Sequence, residues 1–196
     1  MKNICVFCGS SWGRRKEFED AAVALSKEIA RRGMGLVYGG SSAGLMGACA
    51  DAALAEGGKV IGILPHSLKA REIDHKGLSE LHLVDSMHER KAMLEDLSDG
   101  FISLPGGIGT MDEMFEIWTS GMLNWHEKPS ALFNVAGYYD DLIKFLDKIA
   151  EEQFAKQAHR DMLIVDTDVT SILDRMESYE APRNVAKWIP KEGMKQ

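Results

Sequence analysis

Several things are missing from this sequence, and each absence removes a class of function. No apolar run approaches the roughly 20 residues that a membrane-spanning helix needs, which excludes helical membrane proteins. There is no excess of basic residues: 23 lysines and arginines stand against 30 acidic residues, giving a net charge of -7 and a pI near 5.4. That balance argues against a nucleic-acid surface, although a few arginines and helix N-termini can still hold a small anion locally. Cysteine is scarce, and three residues make no disulfide framework. Cys5 and Cys8 spell C-x-x-C, but residues three apart on a strand point to opposite faces and cannot converge on a metal. None of the six histidines has H-E-x-x-H spacing, and His88 reads as a hydrogen-bonded structural side chain. No G-x-S-x-G elbow supports a serine triad. The glycine loops also miss the common nucleotide fingerprints. Leu45 stands where a Walker lysine belongs, no G-x-G-x-x-G occurs, and no acidic residue ends a strand where the ribose of NAD would want one. The sequence calls for no metal and no cofactor.

What is present is an ordinary globular composition, 45% hydrophobic and 27% charged over 196 residues, enough for one full core. The opening MKNICVFCGSS reads as a first strand and not an export signal, so the expected compartment is cytoplasmic. Short apolar runs predict strands over 4–7, 36–38, 60–64, 81–84, 101–104, 131–134 and 163–165. Between them, periodic or small-residue segments predict helices over 18–32, 45–56, 87–97 and 110–123, one around Leu142 to Ile149, and one over 169–179. A polar stretch runs over 65–80. Strands alternating with helices at this spacing mean an α/β fold, a doubly wound parallel sheet in a single domain over 1–180, with a loosely held tail over 181–196.

In such a sheet, ligands bind beyond the carboxyl ends of the strands. The residues that follow successive strands are Gly9 and Ser10, then the glycine-rich loop containing Gly39 and Gly40, then 65–73, then Met87 to Lys91, then LPGGIGTMDE from Leu104 to Glu113. Nearly every unusual stretch falls on that one edge, which we read as the site. In the last of them, Gly106, Gly107 and Gly109 let the backbone approach a ligand around Ile108, and Thr110 opens a helix whose free N–H groups and dipole favour an anion. Arg90 and Lys91 lie in the first turns of a helix, the unfavourable end for a cation, which points to an anionic partner. The helix after the cradle is apolar nearly all round. It predicts either a homodimer with this helix near the interface or burial under the C-terminal helices of the same chain.

The combination of YGGSSAGLMG, SMHERKAM, PGGIGTMDE and KPSALFNVAGYYDDL resembles the LONELY GUY family of nucleoside 5′-monophosphate phosphoribohydrolases, over nearly the whole chain. The resemblance implies a Rossmann-like sheet in a dimer. It also implies cleavage of the N-glycosidic bond of cytokinin riboside monophosphates or AMP, a small-molecule nucleotide substrate with no nucleic acid or membrane partner. Arg90 and Glu113 would then be the catalytic pair, while Glu72, Lys91, the cradle from Gly106 to Thr110, and Thr119 match substrate-holding positions. Ser41 departs from the third glycine that often follows YGG in the family. Relatives also carry a lysine decarboxylase label, but nothing here marks a pyridoxal phosphate lysine. The main rival reading is a non-catalytic carrier of nucleotide or cofactor on the same fold.

Overall fold

The computed structural model describes residues 1–69 and 74–182. Seven strands form one sheet: β1 (Asn3–Phe7), β2 (Gly35–Tyr38), β3 (Val60–Pro65), β4 (Glu80–Val84), β5 (Gly100–Ser103), β6 (Ser130–Phe133) and β7 (Leu163–Asp166). Their order is β4-β3-β2-β1-β5-β6-β7, and every neighbouring pair is parallel. The chain therefore steps outward from β1 to β4 and returns to the other side of β1 for β5. The crevice between the ends of β1 and β5 is the switch point where such sheets bind ligands.

Among the described residues, eight α-helices lie between or after the strands: α1 (Lys16–Arg31), α2 (Gly44–Ala55), α3 (His66–Lys69), α4 (Met87–Asp96), α5 (Ile108–Met122), α6 (Asp140–Glu151), α7 (Gln157–Asp161) and α8 (Val169–Glu177). The predicted strands and long helices are all present, and α3 and α7, one or two turns each, are too short to carry a periodic signal. The start of α5 differs from expectation. It begins at Ile108 with Gly107 as its N-cap, because Met111 N–H already bonds the Gly107 carbonyl at 3.2 Å. Of the tail expected from 181 onward, only Ala181 and Pro182 lie within the described residues.

Alternation along the strands builds two cores. Ile4, Val6 and Cys8 pack under α1, α2 and α8 with Leu25, Ile29, Cys49 and Leu173. Cys5 and Phe7 face the other way, against Leu94 of α4 and Ile117 of α5, so the C-x-x-C thiols do not converge. Small residues on α2 let it sit close. A Cβ on Gly44 would strike the backbone of Ser10 and Ser11, and one on Gly47 the carbonyl of Ser42. Gly44 is thus the point where α2 holds the loop that follows β1.

Met114 and Trp118 of α5 are buried with Leu132, Leu146 and Met162, and Trp118 Nε1 donates to the His159 carbonyl of α7 at 3.0 Å. Coverage by the same chain accounts for that side of α5. Ile108 (87% exposed) and Phe115 (36%) still face outward. Among the described residues, no helix is long and apolar enough to cross a membrane.

Candidate active site

The residues expected to do chemistry meet at the carboxyl edge. Arg90, on the first turn of α4, is 8% exposed and Glu113, on the second turn of α5, is 9% exposed. Arg90 Nη1 donates to Glu113 Oε1 at 2.7 Å, and Arg90 Nε donates to the Ile63 carbonyl of β3 at 3.1 Å. Ser86 caps α4 by accepting from Glu89 N–H at 3.1 Å, and this fixes the helix start that aims Arg90 inward. The guanidinium lies over Gly39, directly after β2, where any side chain would collide with it. Glu113 Oε2 takes no hydrogen bond among the described residues. Burial pushes the Glu113 carboxyl above the usual carboxylate range, with the Arg90 charge and hydrogen bond pulling against it.

The cradle separates its glycines by cause. A Cβ on Gly106 would strike the Thr110 hydroxyl and approach Gly9 N to 2.9 Å, so the fold itself requires glycine there. Gly107 and Gly109 meet nothing within 4 Å. No packing demands their bareness, and the space in front of them is open. Thr110 is buried beneath the turn at 4% exposure. Beside the cradle lies a cleft of about 280 Å³ at the β1/β5 crevice, bounded by Ser10, Trp12, Phe18, Leu45, Gly106 and Tyr138. Arg90 and Glu113 are not among its lining residues.

The other expected residues fall as follows. Ser10 is exposed at the cleft rim. Gly40, at φ +74°, is buried against Leu64 and Leu81, and its carbonyl accepts from His75 N–H at 3.0 Å, so it serves the turn. Ser41, the departure from the family pattern, accepts from Ala43 N–H at 3.1 Å through its hydroxyl. Thr119 is exposed on the third turn of α5. Glu72 lies outside the described residues. His88 is exposed and not the hydrogen-bonded structural side chain expected, because it points off the outer face of the first turn of α4.

The anionic partners inferred for Arg90 and Lys91 turn out to include carboxylates of this chain. Lys91 Nζ donates to Asp112 at 3.3 Å and to Glu116, and the Glu116 hydrogen bond holds its pKa up. Asp112 thus helps tie α5 to α4. Sequence reasoning missed Gly39 as the seat of Arg90, the Ile63 carbonyl, and the aromatic wall of Trp12, Phe18 and Tyr138. The strand-end rule would have reached the last of these had it been carried past β5 to the turn after β6.

Comparison with known proteins identifies the family. The family model described as possible lysine decarboxylase matches residues 46–176. A probable cytokinin riboside 5′-monophosphate phosphoribohydrolase of Oryza sativa subsp. japonica is 44% identical over 191 residues, 97% of this chain and 76% of that protein. A cytokinin riboside 5′-monophosphate phosphoribohydrolase of Arabidopsis thaliana is 43% identical over 184 residues, 94% of this chain and 86% of that protein. The molybdenum cofactor carrier protein of Chlamydomonas reinhardtii superposes with a TM-score of 0.70 at 20% identity, covering 91% of this chain and 99% of the carrier. The molybdenum cofactor binding protein of Rippkaea orientalis gives 0.69 at 20% identity over 91% and 97%. At that identity the likeness to the carriers shows the fold alone. With a family model over most of its length and relatives above 40% identity along nearly all of it, the chain belongs to the LONELY GUY family.

Proposed function

We propose that this chain is a cytoplasmic, homodimeric enzyme that hydrolyses the N-glycosidic bond of nucleoside 5′-monophosphates, cytokinin riboside monophosphates and AMP, to free base and ribose 5-phosphate. The buried Arg90–Glu113 pair, one helical turn past the free amides of α5, carries the reading. The cradle from Gly106 to Thr110 takes the 5′-phosphate on the α5 N-terminus, and Ser10 at the rim adds a hydroxyl. The open space before Gly107 and Gly109 suits close approach of an anion.

Cleavage passes through an oxocarbenium-like transition state, in which the C1′–N bond electrons leave with the base and positive charge grows on the ribose. Glu113 sits on the helix that holds the phosphate, so its carboxylate stabilises that charge and takes the proton of the attacking water, whose oxygen bonds to C1′. The base nitrogen gains a proton as it departs. Arg90, anchored at Ile63 and facing Glu113, holds the carboxylate and the ribose in register. Lys91, paired with Asp112 and Glu116, fixes α4 against α5. Glu72 and Thr119 are assigned to substrate on the family resemblance alone.

The family model's description raises pyridoxal phosphate, and the residues do not suit it. Lys91, only 12% exposed in its side chain, is committed to two carboxylates and does not present a free amine for a Schiff base. The carrier reading shares the fold but gives no reason to bury an arginine–carboxylate pair beside the anion cradle. The outward Ile108 and Phe115 supply the dimer surface.

The deciding experiment incubates purified protein with AMP and an isoprenylated analogue and follows free base by chromatography. Base release that Glu113→Gln abolishes supports the hydrolase. No release from either substrate, with nucleotide bound equally by parent and variant, establishes the carrier. Release only when a second acceptor is added means ribosyl transfer.

A further inference from the structure

The turn after β6 is built to reach the cradle. Asn134 N–H donates to the Asp166 carbonyl at 2.8 Å, its side-chain amide donates to Asp140 at 2.8 Å, and its Oδ1 accepts from Tyr139 N–H at 2.7 Å. Ala136 is held at φ 50°, a left-handed conformation uncommon for a residue with a Cβ, and its carbonyl accepts from Arg15 Nη1 at 3.0 Å. The outcome of this fixed turn is that two consecutive tyrosines meet two carbonyls of the cradle segment. Tyr139 OH donates to the Leu104 carbonyl at 2.6 Å, and Tyr138 OH donates to the Gly106 carbonyl. The Tyr138 ring is set by Phe18, edge to face at 5.5 Å.

We infer that Tyr138 is a positioning residue for the anion cradle, holding the Gly106–Gly107 peptide so that its N–H faces the phosphate. The peptide is trans, so its N–H points opposite to its carbonyl. With the carbonyl tied to Tyr138, Gly107 N–H is turned away from the tyrosine and joins the free N–H groups of Ile108, Gly109 and Thr110. Two glycines in succession would otherwise leave that peptide free to rotate. Tyr138 is 44% exposed and its hydroxyl has no other hydrogen-bond partner among the described residues, so the bond is not needed to satisfy a buried group. The inference rests on the cradle being the phosphate site.

Tyr138→Phe removes the hydroxyl and keeps the ring. It should raise KM for the monophosphate substrate, AMP or its isoprenylated analogue, by roughly three- to tenfold, the equivalent of one hydrogen bond, with kcat within about twofold. Calorimetry with ribose 5-phosphate should show Kd rising by the same factor. The inhibition constant of adenosine, which lacks the phosphate, and the melting temperature should not move. Unchanged ribose 5-phosphate affinity overturns the inference, and so does an adenosine constant that shifts as much as the phosphate ligands do. If the parent binds ribose 5-phosphate but releases no base, the hydrolase reading fails, and the affinity comparison still decides the role of the tyrosine. A parent that binds no ribose 5-phosphate overturns both.

Discussion

Gly39→Ala tests the Arg90–Glu113 pair without changing any charged group. Gly39 has no positive φ, so alanine meets no backbone strain there. Its methyl, however, would stand 2.5 Å from Met46 Cε and 3.1 Å from Arg90 Cζ, and closer still to Nη2. A flexible side chain could ordinarily swing aside. This one cannot do so freely, because the guanidinium is a rigid plane already tied at Nε to Ile63 and at Nη1 to Glu113. Relieving the clash means moving that plane by roughly 1 Å, and displacement on that scale costs about a hundredfold in rate when a group is positioned for chemistry. At least one of the two bonds is then lost. Hydrogen bonds of charged groups contribute about 1.5–3 kcal/mol, which for a chain of this length lowers the melting temperature by roughly 3–12 °C. The measurements are base release as kcat/KM and a thermal melt. A variant that melts lower and yet keeps kcat/KM within about threefold would refute the claim that this pair positions the reaction.

Three further outcomes follow from the same geometry. Gly107→Ala adds a methyl that meets nothing in the protein, so the melt should hold while KM for the monophosphate rises; a lowered melting temperature with unchanged KM contradicts a ligand-facing glycine. Glu113→Gln should lose about 10²–10⁴-fold in kcat while still binding nucleotide. Its pH dependence adds a check. Burial raises the Glu113 pKa, so its contribution to folding is present at low pH and lost as pH rises through the folded value. The variant should therefore gain in melting temperature relative to the parent as pH rises above the ordinary carboxylate value of about 4.3, and a relative decline would show Arg90 outweighing burial. Finally, Phe115→Glu places a charge on the outward face of α5 and should convert a dimer to monomer in sedimentation velocity; a parent that is already monomeric removes the proposed interface.

The inner strands of this protein were legible because they are buried on both faces, as in β3, where all six residues from Val60 to Pro65 are covered, whereas the edge strand β4 is covered fully only at Val84. A continuous apolar run bounded by glycine and proline needs no partner to be recognised. The order of those strands was not written in any run. Its consequence was, because every strand in a parallel sheet delivers its following residues to the same edge, whichever neighbour it finds. That is why the strand ends alone point to the cradle, whichever strands flank the β1/β5 crevice. Short helices such as α7 stayed hidden, since five residues hold too few apolar positions to show a period and α7 is positioned by tertiary contact, the Trp118 bond to His159 included.

The site itself was legible where a residue type is unusual for its place and illegible where it is ordinary. Arginine near a helix N-terminus stands out, and the structure explains the oddity: its counter-charge comes from a second helix, through Glu113. Gly39 looked like any glycine in a loop already full of them, yet among Gly39, Gly40 and Gly44 each has a different reason. Gly39 makes room for a guanidinium, Gly40 packs against two leucines at positive φ, and Gly44 meets the backbone of Ser10 and Ser11. The same division holds in the cradle, where Gly106 is required by the fold and Gly107 and Gly109 are not. A glycine that the protein does not need is best explained by something the protein holds. The bareness of those two positions is thus an argument for a ligand that no count of glycines in the sequence could supply.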